Sequence, residues 1–220
     1  MVPAFGVTEP RFSPADAGRK SPRIGRRASG DKRERILRAA TRVFARKGFY
    51  ATRVSEVARA AGVADGTIYL YFKSKEDLLT SLFEDRVERL LATVKDTLAR
   101  IDAPEERLRT LIELQLGVLD GERDLAEVIT VSLRQSTRLL RQYAAPKFKQ
   151  YLETIAAVVA DGQARGDFRA EVVPMEAARA LFGALDGLAL TWALGQAHPG
   201  TLRASATQVA TLFLRGLSAR

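Results

Sequence analysis

The chain has no cysteine among its 220 residues and only one histidine, one tryptophan and two methionines. The first absence excludes a disulfide scaffold, thiolate-bound zinc and a thiol nucleophile. The scarcity of histidine removes the usual general base and the usual imidazole metal ligand everywhere except at His198. That residue lies in the turn-like sequence AHPG, with no serine motif or carboxylate pair to work with it. The acids mostly stand beside Arg or Lys at helical spacing, as on a solvated face. An enzyme is therefore not expected, and nothing asks for a cofactor or a metal. Also lacking is an uninterrupted apolar run of the kind a signal peptide or a membrane span needs. Residues 1–30 hold four of the eight prolines, and the longest apolar stretch, 177–194, is broken by Arg179 and Asp186. These features predict a cytoplasmic protein with no membrane partner. With 46% apolar residues the chain can bury one large core or two modest ones.

What is present in excess is positive charge, and it is concentrated. Residues 1–75 carry 17 Lys and Arg against 6 Asp and Glu, whereas residues 76–220 carry 18 against 20. The net +9 belongs entirely to the first third, the footprint of a polyanion partner, although basic segments also bind membranes or merely solvate a face. A non-specific nucleoid protein would not need the long, near-neutral, apolar remainder.

Periodicity reads as helix throughout. Residues 1–30, rich in Pro, Gly, Ser and basic groups, are expected to form a disordered arm, with Arg11, Arg19, Lys20, Arg23, Arg26 and Arg27 either tracking the minor groove or attracting DNA non-specifically. Helices are predicted over 31–47, 54–61, 65–71, from Ser74 to about residue 100, and over 104–120, 122–140, 146–165, 174–195 and 201–217. Gly48 closes the first, Thr52 is the candidate N-cap of the second, and Ser74 with Asp77 three residues on forms a capping-box-like start to the fourth. No segment alternates with period 2. The fold class is all-α, nine helices, divided as an arm 1–30, a helix-turn-helix unit 31–77 and a ligand-binding and dimerisation unit 78–220.

The segment VSEVARAAGVADGTIYLYF, 54–72, pairs two short helices with Ala58 where they cross, Gly62 at the turn, and Val63 and Ile68 for the shared core. An ordinary helical hairpin would use similar residues. The wider run KRERILRAATRVFARKGFYATRVSEVARAAGVADGTIYLYFKSKEDLLTSLF, 32–83, resembles the N-terminal DNA-binding domain of the TetR family. The resemblance implies an all-α homodimeric repressor of operator DNA with a ligand site in its C-terminal helices. By position it implies DNA contacts at Thr52, Arg53, Gly66, Thr67, Tyr69, Leu70, Tyr71 and Lys75. The chemistry fits: hydroxyls of Thr52 and Thr67 and the Lys75 ammonium for phosphates, Arg53 for guanine, phenols of Tyr69 and Tyr71 for the backbone, and Leu70 for a thymine methyl. Core packing is the competing role for Tyr71. Asp65 opens the recognition helix, where it either caps the helix or accepts from a cytosine amine.

In the remainder, helices 104–120 and 122–140 are apolar on more than one side, which fits burial or the wall of a cavity. Leu111, Val118 and Ile129 supply apolar candidates for a ligand site, and Gln115, Phe148, Tyr151, Phe182 and Trp192 supply polar and aromatic ones. LRQS at 133–136 and FGALDGLALTWAL at 182–194 look similar to TetR-type regulators of fatty-acid degradation that respond to long-chain acyl-CoA. That likeness implies an acyl-CoA effector, with Arg134, Arg138 and Arg141 either facing its phosphates or forming a solvated helix face. The alternative is a repressor of a multidrug-efflux operon responding to aromatic or cationic compounds. Small residues such as Ala184 and Gly187, with a stripe of Leu202, Ala206, Val209, Leu212, Phe213 and Gly216 on the last helix, predict a four-helix dimer seam.

Overall fold

The first helix, α1 (Arg23–Lys47), begins eight residues before the expected boundary and carries part of the basic arm into regular structure. The computed structural model describes residues 23–132, 145–195, 198 and 200–219. After Pro22 the sequence RIGRRASG contains no further proline, and its two glycines, Gly25 and Gly30, each cost about 1 kcal/mol, which the good helix formers around them offset. The helix stops where φ of Gly48 turns to 77°, with the Gly48 N–H donating to the Phe44 carbonyl (2.8 Å).

α2 (Val54–Ala61) and α3 (Asp65–Tyr69) follow, then the long α4 (Lys75–Leu98), α5 (Pro104–Leu119) and the short α6 (Arg123–Glu127). α7 (Ala145–Ala164), α8 (Pro174–Leu194) and α9 (Thr201–Leu217) complete the described helices. Ser74 caps α4 as predicted: its hydroxyl accepts the Asp77 N–H (3.1 Å), while the Asp77 carboxylate accepts the Lys73 N–H (2.7 Å). The predicted helix 122–140 is described as far as Ser132 and changes its winding within that span, while 133–140 lie outside the described residues. α6 lasts five residues and passes into a wider, π-type turn over Val128–Ser132, in which the Thr130 hydroxyl donates to the Ala126 carbonyl (2.7 Å). Among the described residues the only strand-like pairing is one antiparallel bridge, Phe168 to Ser218.

Two cores result, and α4 runs through both. The N-terminal core joins Ile36, Ala40, Phe44, Val57, Ile68 and Phe72 to Leu78, Leu79 and Leu82 of α4. Leu125 and Val128 of the α6 segment are buried in the same cluster, so the two halves of the protein share side chains. The second core collects Val94 and Leu98 of α4 with Leu108, Ile112, Ile155, Leu181 and Leu185. α8 is long and apolar enough to cross a membrane by length and composition. Here Ala178, Leu181, Leu185 and Trp192 of that helix are buried in the second core.

Candidate nucleic-acid interface and effector cavity

The turn between α2 and α3 is built by glycine. Gly62 has φ 65°, a conformation L side chains rarely adopt, and it lets Val63 N–H reach the Ala58 carbonyl (3.0 Å). Ala58 is fully buried, and Arg35 of α1 donates from Nη2 to the Ala61 carbonyl (3.1 Å), tying the end of α2 to α1. α3 is thereby held with Ile68 inward and its other side open. Tyr69 is 57% exposed and Leu70 81% exposed; Asp65 and Gly66 are exposed too, and nothing lies within 4 Å of where a Gly66 Cβ would stand. Thr67 and Tyr71 are half-buried, and Tyr71 packs against the N-terminal core beside Phe72, with ring centroids 6.4 Å apart. Ala64, not Asp65, is the N-cap of α3, so Asp65 occupies the first helical turn, where its charge favours the helix dipole.

Two predicted phosphate contacts are turned inward. Thr52 is 2% exposed and its hydroxyl donates to the Gly48 carbonyl (2.8 Å), which leaves the N-cap of α2 to Arg53. The Lys75 ammonium donates to three carbonyls, those of Phe49 (2.9 Å), Tyr50 (3.1 Å) and Thr52 (3.1 Å), and sits 4.7 Å from the centre of the Phe49 ring. An ammonium has three donors, so Lys75 is saturated by the turn between α1 and α2 and serves as its pin. Arg53 is exposed. Its backbone N–H donates to Glu56 Oε2 (3.0 Å), and Lys47 pairs with the same carboxylate. The Arg53 N–H first, and then the Lys47 ammonium, hold the Glu56 carboxyl below the usual carboxylate range. Arg38, Arg42, Arg46, Arg59 and Lys73 are exposed on the same unit. Tyr50, 65% exposed on the turn that Lys75 pins, and Lys73, exposed just ahead of α4, carry no sequence signal that marks them, yet both stand at this surface.

Below this unit an apolar cavity of about 100 Å³ lies between α4, α5, the Val128–Ser132 turn, α7 and α8. Of the predicted ligand residues, Gln115, Val118, Ile129, Phe148, Tyr151 and Phe182 line it together. Phe83, Val87 and Leu90 of α4 join them, as do Arg86 and Asp186, the two charged lining groups. Phe148 meets Phe182 edge to face at 4.5 Å. The Tyr151 hydroxyl donates to Gln115 Oε1, and burial pushes the phenol well above its ordinary pKa, so it remains a neutral donor. Leu111 and Trp192 do not line the cavity. Leu111 is fully buried in the second core, and the indole Nε1 of Trp192 donates to the His198 carbonyl (3.3 Å). Arg134, Arg138 and Arg141 lie outside the described residues.

The predicted dimer stripe on α9 divides: Leu212 and Gly216 face outward, whereas the remaining members pack within the protomer. Leu202, Ala206 and Val209 belong to the second core of the same protomer, on the side of α9 that packs on α5, and Phe213 is partly buried against that core. An apolar stripe needs one partner, and α5 supplies it within the chain. The outward positions are Gly183 and Gly187 on α8, with Ala184 half-buried between them, and on α9 Gln208 and Leu212, the latter 70% exposed.

Comparison with known proteins accounts for both halves of this arrangement. The family described as bacterial regulatory proteins, tetR family, matches residues 36–82, and the YsiA-like protein C-terminal region matches residues 83–216. The fatty acid metabolism regulator protein of Bacillus subtilis (strain 168) is 35% identical over 159 residues, covering 72% of this chain and 82% of that protein. The solved fatty acid degradation regulator FadR from Bacillus halodurans superposes with a TM-score of 0.78 at 34% identity, covering 84% of this chain and 98% of that one. The transcriptional regulator FadR from Bacillus subtilis, solved in complex with stearoyl-CoA, gives a TM-score of 0.78 at 33% identity, with 83% and 98% covered. With a helix-turn-helix built on Gly62, a second helical unit below it and matches that run through both, the chain belongs to the TetR family of bacterial regulatory proteins.

Proposed function

We propose that the protein is a homodimeric transcriptional repressor that binds operator DNA and is released from it by a long-chain acyl-CoA, so that fatty-acid metabolism genes respond to their own substrate. The helix-turn-helix unit of 31–77, extended by α1 back to Arg23, binds DNA; the unit 78–220 binds the effector and dimerises. Its work is binding rather than catalysis, and its place is the cytoplasm, with the operator. One observation carries the effector assignment: the apolar cavity lined by Val87, Leu90, Phe148 and Phe182 occurs in a fold whose relative from Bacillus subtilis was solved with stearoyl-CoA.

The cavity also supports release as the direction of the effect. At about 100 Å³ it is well below the roughly 300–1,000 Å³ of drug-sized ligand sites. A long acyl chain fits only if the helices around it spread. A ligand that binds the spread state better than the closed state shifts the population toward it, and one that binds both equally shifts nothing. The cavity wall includes Phe83 and Ile129, which also pack against the N-terminal core, so spreading the wall moves the frame on which α1, α2 and α3 sit. Native mass spectrometry of the protein as purified from its own cytoplasm tests the ligand class: a bound mass equal to a long-chain acyl-CoA is expected. Bound aromatic or cationic compounds with no thioester among them would instead support the efflux-repressor alternative.

A further inference from the structure

A second space lies where the two halves meet. It is an open groove of about 480 Å³ between α1, the middle of α4 and the α5–α6 turn. Four guanidinium groups line it, from Arg38 and Arg42 of α1, Arg86 of α4 and Arg123 of α6, against two carboxylates, Glu122 and Asp124. Arg38 is paired with Glu34 (2.8 Å), and Arg123 donates from Nε to the Ala193 carbonyl (3.2 Å). Arg42 and Arg86 make neither an ion pair nor a side-chain hydrogen bond among the described residues. Arg86 lines both this groove and the apolar cavity, so one side chain separates the two spaces.

An apolar chamber joined through a cation to a basic groove matches a ligand with a hydrocarbon tail and a polyanionic head. Resting on the acyl-CoA reading above, we propose that the acyl chain occupies the cavity and that the phosphates of its coenzyme A moiety lie in this junction groove, between Arg42 of α1 and Arg86 of α4. Guanidinium forks suit phosphate oxygens, and charge-assisted bonds to them are about twice as strong as neutral ones. The placement assigns the head group a mechanical role. α1 packs on α2, which carries the recognition turn, and it also packs on α6. A polyanion seated between Arg42 and the α4 guanidinium therefore contacts both the DNA-binding unit and the effector unit, and its binding is felt directly at α1.

The test is calorimetric titration of the full-length dimer, without DNA, using palmitoyl-CoA and palmitate as probes. Wild type, Arg42→Ala and Lys95→Ala are compared; the last removes the same charge from an exposed position in the groove between α4 and α7. The proposal expects Arg42→Ala to bind palmitoyl-CoA about tenfold more weakly than wild type, on the scale of one lost charge-assisted bond. It also expects palmitate affinity to be unchanged by Arg42→Ala, and Lys95→Ala to match wild type. Palmitoyl-CoA binding that is equal in wild type and Arg42→Ala, or that is lost in Lys95→Ala, overturns the head-group placement and leaves the acyl-CoA reading standing. No palmitoyl-CoA binding by wild type overturns that reading itself.

Discussion

The N-terminal and C-terminal halves of this molecule are both all-helical and both closed around apolar cores, yet they constrain their sequences very differently. In the N-terminal half each position has one geometric duty: Gly62 supplies a positive φ, Ala58 a close crossing, and Ile68 and Phe72 the inner side of a recognition helix of only five residues. Little can be exchanged without moving α3. In the C-terminal half the duty is shared, since Leu108, Ile112, Leu181 and Leu185 fill a core that other apolar residues of similar volume would also fill. A DNA reader must present a fixed surface, whereas an effector unit must be able to spread. The contrast makes predictions at both ends of the chain.

The largest effect is expected where the C-terminal half is least tolerant of charge. Val209 is 7% exposed and faces its own core, so Val209→Asp should lower protomer stability by about 3–5 kcal/mol and reduce the folded yield, as read by thermal melting. Leu212→Asp, three residues on and exposed, should instead leave melting of the protomer near normal and shift light scattering toward monomer. If Val209→Asp gave well-folded monomers, α9 would have to turn its buried stripe to the partner after all.

Lys75 distinguishes a pin from a phosphate contact. Replacing it with Met removes three donors from carbonyls of the 49–52 turn and should destabilise the N-terminal half by about 1–3 kcal/mol. The loss should appear in the free protein's melting curve and in weaker binding of all DNA sequences. Unchanged melting with only a salt-slope change of about one unit would return Lys75 to the DNA backbone.

Arg53 is the counterpart, exposed and off the core. Arg53→Ala should cost about 1–3 kcal/mol on the cognate operator and relax the preference at one base pair, with melting unaffected. Equal losses on cognate and random DNA would show that it reads phosphate only.

The smallest effect concerns the cap of α2. Glu56 is ionised more readily in the folded protein than in the unfolded chain, so its stabilising contribution is present above the ordinary carboxylate range and is lost as pH falls through its lowered pKa. The melting difference between wild type and Glu56→Gln should therefore be present at neutral pH and vanish in acid. A difference that grew as pH fell would contradict the Arg53 and Lys47 contacts to this carboxylate.

The contrast between the halves also governs what could be read from residues alone. The helix-turn-helix, its glycine turn and the Ser74 cap were legible because each depends on one residue type at one position. Side-chain direction was not: Thr52 and Lys75 have the right chemistry for phosphate, and only the packed turn shows their donors spent on carbonyls. The widening after α6 was hidden because Leu125, Val128 and Ile129 keep an apolar pattern through the π-type turn. The stripe of Leu202, Ala206 and Val209 fitted a partner subunit or a neighbouring helix equally well, and α5 took it. The cavity residues Phe148, Tyr151 and Phe182 were found by type, whereas Leu111 and Trp192, of the same types, fell to the core and to the His198 carbonyl.

The central claim is that an apolar chain entering the cavity forces the protein off its operator. It is tested most directly by titrating the protein–operator complex with acyl-CoAs of increasing chain length and following DNA release by fluorescence anisotropy. Each further methylene that becomes buried adds up to about 0.8 kcal/mol, so the concentration needed for release should fall by as much as roughly fourfold per methylene until the chain fills the site. Release independent of chain length, or release by coenzyme A alone, would contradict the account.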